Sequence, residues 1–303
     1  MQNLTLKQLR YFSALARHRH FGRAADVCAI SQPAMSMQIK ELEDTLGVPL
    51  VERSARQVRL TGFGEELATR AAAILRSVDE LSDLARSSRD QFVGRLRLGV
   101  IPTVAPYLLP KVIGQLTTRY PRLDIHIRET ITPTLLSELA EGRLDTAIVA
   151  LPVSEPTIEE TPLFDESFVL VRPGAEKGAP VPSVESLREM RLLLLEEGHC
   201  FRDQALSFCN LQSGAPREML DASSLSTLVQ MVSAGIGVTL IPEMAVDVET
   251  RSADVSLCPL TAPRPTRTIG MIWRRSTPLA EQLAQMAEVV RDAGASGGKL
   301  PKV

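Results

Sequence analysis

A chain of 303 residues, 44% hydrophobic and 23% charged, is long enough to bury two cores and has a globular rather than a disordered composition. Its start, Met1-Gln-Asn-Leu-Thr-Leu-Lys7, holds no apolar secretory segment, and no stretch approaches the ~18 apolar residues of a membrane span. Four cysteines without CxxC spacing and four scattered histidines argue against a disulfide framework and a metal cluster, so a cytoplasmic protein with no metal or cofactor is expected. The net charge of −2 hides an asymmetry: residues 1–62 carry nine Lys/Arg against five Asp/Glu, which leaves −6 for the remainder. A basic first domain on an acidic body fits a DNA-binding module attached to something else.

Leu6, Leu9, Phe12, Ala14 and Leu15 recur at helical spacing and predict a first helix. A second short helix is predicted from about Phe21 to Cys28, with a turn at Ala29–Ile30. Ser31 is placed as an N-cap and Pro33 in the first turn of a third helix, where its missing N–H costs nothing. That helix runs through Met35, Ile39 and Leu42 to Gly47, a natural C-cap. Two short helices joined by a tight turn are the helix-turn-helix pattern. From Val51 to Leu60 alternation replaces helical spacing, which predicts a β-hairpin wing with Arg53, Arg56 and Arg59 available to phosphates.

Residues 63–93 form a linker in which Leu67, Ala71, Ile74, Val78, Leu81 and Ala85 repeat at intervals of four and three. Such a narrow stripe predicts a long helix that pairs with a second copy of itself. From residue 94 the chain alternates strand and helix. Strands are predicted at Arg95–Ile101, Asp124–Glu129, Asp145–Ala150, Phe168–Val171, Leu192–Leu195 and Thr268–Trp273. Helices are predicted at Tyr107–Tyr120, Pro133–Glu141, Ser224–Ala234 and Leu279–Ala293. This implies an α/β domain with a largely parallel, wound sheet. Ala234-Gly-Ile-Gly-Val238 follows a helix and lacks a third glycine, so it is no dinucleotide loop.

Several blocks in residues 4–64 resemble the LysR-type transcriptional regulators: His20-Phe-Gly-Arg-Ala-Ala-Asp26, Ile30-Ser-Gln-Pro-Ala34, Ile39-Lys-Glu-Leu-Glu43, Leu46-Gly-Val-Pro-Leu50 and Leu60-Thr-Gly-Phe-Gly64. The resemblance spans essentially the whole chain. It implies a winged helix-turn-helix over 1–62, a dimerising linker helix over 63–93, and a regulatory domain over 94–303. That domain would have two lobes like those of a periplasmic binding protein, one of about 94–164 with 268–303 and the other of about 165–267. A homo-oligomer is implied, a dimer through the linker helix or a tetramer, with double-stranded DNA as partner and RNA polymerase as a further one. On the third helix Gln32, Pro33, Ala34, Ser36 and Met37 would face base edges, while Lys40, Arg53 and Arg56 would hold phosphates. Met37 stands where many relatives carry Arg, a departure that weakens any transfer of a base preference.

Two further runs, Gly99-Val-Ile-Pro-Thr-Val-Ala-Pro-Tyr-Leu-Leu-Pro110 and Gly198-His-Cys-Phe-Arg-Asp-Gln-Ala-Leu-Ser-Phe-Cys209, are similar to the hydrogen peroxide-sensing branch of that family. The resemblance implies that Cys200 attacks H2O2 and that Cys209 resolves the product as a reversible disulfide. Thr103, Thr132, His199 and Asp203 would bind the peroxide with Arg202 as helper, although Thr130 and Thr134 are rivals to Thr132 and Thr103 also suits a helix cap. On the residues alone, a helix start and the neighbouring Arg202 favour the Cys200 thiolate. If residues 200–209 are helical, the two Cα atoms lie about 13 Å apart, beyond the ~7 Å a disulfide tolerates. Oxidation would then have to unwind the helix. Cys28 and Cys258 are expected to be structural. Two other functions remain open at this point, a regulator bound by a small organic effector between its lobes and a thiol peroxidase; a non-enzyme is the expectation.

Overall fold

Helix caps and buried stripes set the architecture of the first sixty residues. In the computed structural model, which describes residues 4–53, 58–87, 93–182, 186–187, 190–208, 220–260 and 264–295, the chain divides into two compact units, Met1–Ala85 and Arg86–Val303. Helix α1 (Leu6–His18) opens with a capping box between Thr5 and Gln8 and buries Leu9, Phe12 and Leu15. Helix α2 (Phe21–Val27) is capped by the His20 ring, which accepts from the Arg23 amide at 3.2 Å. Helix α3 (Gln32–Leu46) begins at Ser31, whose Oγ accepts from the Ala34 amide at 3.3 Å, and ends at Gly47 with a φ of 72°. Met35, Ile39 and Leu42 turn inward, onto Phe12 and Leu15.

The wing is the antiparallel pair β1 (Val51–Arg53) and β2 (Val58–Leu60). Glu43 on α3 fixes its root, accepting from the amides of Leu50 and Val51 at 2.7 and 3.2 Å. Helix α4 (Gly62–Ser87) follows, 26 residues or about 39 Å long. Its stripe changes character along its length. Leu67 and Ala71 pack on or near the helix-turn-helix core, whereas Ile74 and Leu81 are 45% and 66% exposed.

The second unit is built on a seven-stranded sheet. Its strands are β3 (Gly94–Val100), β4 (Leu123–Glu129), β5 (Thr146–Leu151), β6 (Ile158–Pro173), β9 (Thr239–Pro242), β10 (Val255–Pro259) and β11 (Thr266–Arg274). The order is β10-β6-β11-β5-β3-β4, with β9 also on β6. Only β3–β4 and β3–β5 are parallel within it; β11 runs antiparallel to β5 and β6, as do β9 and β10 to β6. The sheet is therefore mixed, not largely parallel. The cause is β6: read from sequence as four residues, Phe168–Val171, it extends over sixteen, carries the chain out of one core into another, and is paired by β11 on the way back.

Those two cores are the lobes of an α/β domain. The first gathers Leu96, Leu98, Val149, Ile269 and Met286, with helices α5 (Ala105–Arg119), α6 (Thr132–Ala140) and the terminal α10 (Ala280–Ala295) around it. The second gathers Phe168, Leu170, Leu193, Val229 and Ile241. It includes β7 (Leu194–Leu195), parallel to β8 (Asp221–Ala222), and the helices α7 (Cys200–Phe208), α8 (Leu225–Ser233) and α9 (Val246–Glu249). The strand expected at Leu192–Leu195 shrinks to these two residues and a single bridge from Leu192 to Val238. Cys258 is buried in the second core, and Cys28 is half-buried against the helix-turn-helix core.

Candidate functional site

The turn after β7 brings one thiol to the junction of the lobes. Gly198 has a φ of 92°, in the left-handed region that glycine tolerates best, and a Cβ there would lie 2.8 Å from Ile131 Cδ1. The chain can thus reverse tightly against the start of α6 before His199 and Cys200. Helix α7 then anchors in the second lobe through Phe201, Ala205 and Leu206, with the Phe201 ring edge-on to Phe168 at 5.0 Å. Cys200 points the other way. It is a free, half-buried thiol packed on the first lobe's core.

Facing it are residues from two ends of secondary structure in the first lobe. Ile101, Pro102 and Thr103 follow β3, and Ile131 and Thr132 open α6; with His199, Cys200 and Phe201 they line one small recess. Four residues expected from the sequence, Thr103, Thr132, His199 and Cys200, therefore lie together. Thr132 Oγ1 is buried and has no hydrogen-bond partner among the described residues. Burial pushes the His199 imidazole below its ordinary pKa, with Glu196 pulling weakly the other way. The neutral ring is thus favoured beside the thiol. Beyond the recess, Thr132 and Cys200 also border a cleft of about 610 Å³ whose wall includes Leu136, Glu155 and Asp203.

Asp203 and Arg202 part company. Three residues along a helix return near the same face, whereas two turn through about 200°, so Asp203 shares the cleft with Cys200 and Arg202 points away. The Arg202 guanidinium donates to the Leu195 carbonyl at 2.7 Å and to Asp221 Oδ1 at 2.6 Å. It braces β7 and β8 and is not among the residues lining the recess. Cys209 lies outside the described residues.

Sequence reasoning missed Arg267 and Glu166. Arg267 on β11 is fully buried and donates to Thr103 Oγ1 at 2.8 Å and to the Thr103 carbonyl at 3.1 Å. Its charge is paired with Glu166 on β6 at 2.7 Å, and the guanidinium lies 5.4 Å from the Phe201 ring centre. A charged residue at an inward strand position is rare unless paired. That signal was present in Thr266-Arg-Thr-Ile-Gly-Met271 once the alternation of β11 was taken into account.

On the first unit, α3 leaves Gln32, Pro33, Ser36, Met37 and Lys40 exposed, Met37 by 56%, with Ala34 half-buried. Arg53 ends β1; its side chain and Arg56 lie outside the described residues.

Comparison with known proteins matches residues 6–65 to the bacterial regulatory helix-turn-helix protein family of the lysR type and residues 89–295 to the LysR substrate binding domain. The chain is 46% identical over 296 residues to a probable hydrogen peroxide-inducible genes activator of Streptomyces viridosporus, covering 95% of this chain and 94% of that one. It is 43% identical over 293 residues to the DNA-binding transcriptional dual regulator OxyR of Escherichia coli K12, covering 95% of each. Among solved structures, a full-length cysteine-to-aspartate variant of OxyR from Pseudomonas aeruginosa superposes with a TM-score of 0.75 at 37% identity, over 99% of both chains. A cysteine-to-serine variant of Corynebacterium glutamicum OxyR with H2O2 bound gives 0.64 at 36%, over 97% of this chain and 95% of that one.

Proposed function

The chain belongs to the LysR family of bacterial helix-turn-helix regulators, and from that premise we propose that it is a hydrogen peroxide-responsive transcription regulator whose sensor is Cys200. The observation that carries the proposal is the recess itself: a free thiol faces Thr103, Thr132 and His199, and one of those hydroxyls, Thr132 Oγ1, is buried with no partner among the described residues. Buried polar atoms are nearly always satisfied; the recess is closed to a water-sized molecule in this form, so a peroxide oxygen would reach this hydroxyl from the open cleft that Thr132 and Cys200 also border. The Cys200 thiolate attacks one peroxide oxygen; the O–O bond breaks as the S–O bond forms, sulfur loses two electrons, and the leaving hydroxide takes a proton to become water. The Cys209 thiol then attacks the sulfenic sulfur, forming the S–S bond and releasing a second water.

That second step requires the fold to change. From Cys200 to Phe208 helix α7 rises about 12 Å, and one further peptide shortens the separation by at most about 3.8 Å. The Cys200 and Cys209 Cα atoms are then at least about 8 Å apart while α7 is intact, outside disulfide range. Oxidation therefore unwinds α7, and the altered lobe carries the signal. Gln32, Pro33, Ala34, Ser36 and Met37 meet bases, and Lys40, Arg53 and Arg56 meet phosphates. The exposed half of the α4 stripe, Ile74 and Leu81, pairs with a second copy. Among the described residues no helix is long and apolar enough to cross a membrane. The regulator works on DNA in the cytoplasm and does not turn over substrate.

Treating the reduced protein with stoichiometric H2O2, alkylating free thiols and mapping cysteines by mass spectrometry tests this. The expected product is a Cys200–Cys209 disulfide with Cys28 and Cys258 alkylated. Four alkylated thiols would overturn the sensor and turn attention to an organic ligand in the 610 Å³ cleft. Catalytic consumption of peroxide with a thiol reductant would instead indicate a peroxidase.

A further inference from the structure

We propose that Glu166 is a positioning residue for the peroxide reaction, setting through Arg267 the direction in which the Thr103 hydroxyl donates; this rests on the functional reading above. Donor and acceptor counting leads to it. A guanidinium can only donate, so in the 2.8 Å contact between Arg267 Nη1 and Thr103 Oγ1 the threonine oxygen accepts. The single hydroxyl hydrogen of Thr103 must then point elsewhere, and Thr103 borders the recess that holds Cys200 and Thr132. Arg267 thereby converts a free rotor into a donor aimed away from the guanidinium and toward the recess.

The guanidinium is itself held by Glu166. Oε2 receives Arg267 Nε at 2.8 Å and Nη2 at 2.7 Å, while Oε1 receives the Met244 amide at 3.0 Å. Both carboxylate oxygens are thus assigned, and the carboxylate cannot swing without losing a partner. The two residues are also direct cross-strand partners in the β6–β11 ladder. Backbone pairing from Thr266 to Ile269, on their side of a β-bulge, already fixes that register, and a buried ion pair adds little net stability over an apolar pair. Holding the strands together therefore does not account for the pair. Its distinctive consequence is a neutralised guanidinium of fixed plane against Thr103.

The test is a double-mutant cycle on the full-length reduced protein, read as the single-turnover rate of Cys200 oxidation by H2O2, with alkylation by iodoacetamide as a control. Glu166→Gln keeps the size but leaves one acceptor oxygen for two sets of donors. It is expected to slow peroxide oxidation roughly ten- to a hundredfold while alkylation changes by no more than about twofold. Thr103→Val slows oxidation comparably, and adding Glu166→Gln to it changes the rate by less than about twofold, because both act through one hydroxyl. Glu166→Asp restores part of the rate. Multiplicative losses in the double variant, or a parallel loss of alkylation, overturn the positioning role and leave the sensor standing. If Glu166→Gln does not fold, Glu166→Asp carries the same cycle; failure of both to fold assigns Glu166 to stability and overturns the role. A wild-type Cys200 that H2O2 does not oxidise overturns the functional reading, and this role with it.

Discussion

The two walls of the recess are built differently. Thr103 follows, by three residues, a seven-residue strand flanked by β4 and β5, is 2% exposed, and is gripped by a guanidinium that is itself paired and buried. Cys200 hangs from β7, two residues long, through a turn with one residue at positive φ. Its tertiary ties are the Phe201–Phe168 contact, the Arg202 brace and a short apolar face. Local stability follows the density of such ties. The two threonines that would orient a peroxide sit on the firm wall, and the sulfur that must travel to a partner sits, with His199, on the wall that can let go. A sensor needs both: a fixed geometry for the first step and a yielding helix for the second.

Replacing Thr132 with Val is the strongest way to break that comparison. Its orphaned hydroxyl belongs to the firm wall, so removing it should leave the protein at least as stable, by on the order of 1 kcal/mol. Yet it should slow Cys200 oxidation by about a hundredfold, the scale of losing one directed donor. Urea unfolding and stopped-flow oxidation of the same sample measure both. A wild-type rate in this variant would mean that the firm wall does not orient the peroxide.

A smaller effect sharpens the other half. Arg202→Ala removes two charge-assisted hydrogen bonds, one of them to a carboxylate that is 39% exposed, and solvent screening limits the loss to about 1–2 kcal/mol. If unwinding α7 breaks the brace, the loss falls on the reduced form alone. The reduction potential of the Cys200–Cys209 couple then moves to more negative values by about 30 mV for each 1.4 kcal/mol. Equilibration against a dithiol buffer reads this. An unchanged potential in a destabilised protein would show that the brace survives oxidation, and that the yielding part lies beyond Arg202.

Much of this was legible in the sequence because it is local. The caps at Ser31 and Gly47 and the start of α7 at Cys200 depend on neighbours within a few positions, and the helix stripes depend on one period. Arg267 and Glu166 were missed because their partners lie 164 and 101 residues away and because the expected strand began at Thr268, two residues after the alternation of β11 that marks Arg267 as inward. The first half of β6 was missed for a related reason. Residues 158–165 alternate weakly, because Glu159, Glu160 and Thr161 are only half-covered, and the strand is defined by β11, more than a hundred residues later. The parallel sheet was expected from alternating strands and helices; the return of β11 into the first lobe, antiparallel to β5 and β6, reverses that pattern and leaves no local trace. Arg202 was assigned to the thiol by adjacency in sequence, when helical geometry turns it away.

The smallest expected effect concerns protons on the yielding wall. Burial lowers the His199 pKa in the folded chain, whereas the unfolded chain keeps the ordinary value near 6.5. Above about pH 6.5 both states are neutral and His199 contributes no pH dependence. As the pH falls below that, the unfolded chain takes up a proton that the folded chain resists, so stability declines until the depressed folded value is reached. The slope cannot exceed about 1.4 kcal/mol per pH unit, and partial exposure of the ring keeps it well below that. Urea unfolding of the reduced protein between pH 7.5 and 5.5 should therefore fall more steeply for wild type than for His199→Gln. Because His199 precedes Cys200 directly, the same proton would be felt where α7 begins to unwind, so Thr132→Val, a change on the firm wall, should retain the wild-type slope. If instead His199→Gln keeps that slope, the titrating group lies elsewhere and the yielding wall is indifferent to pH.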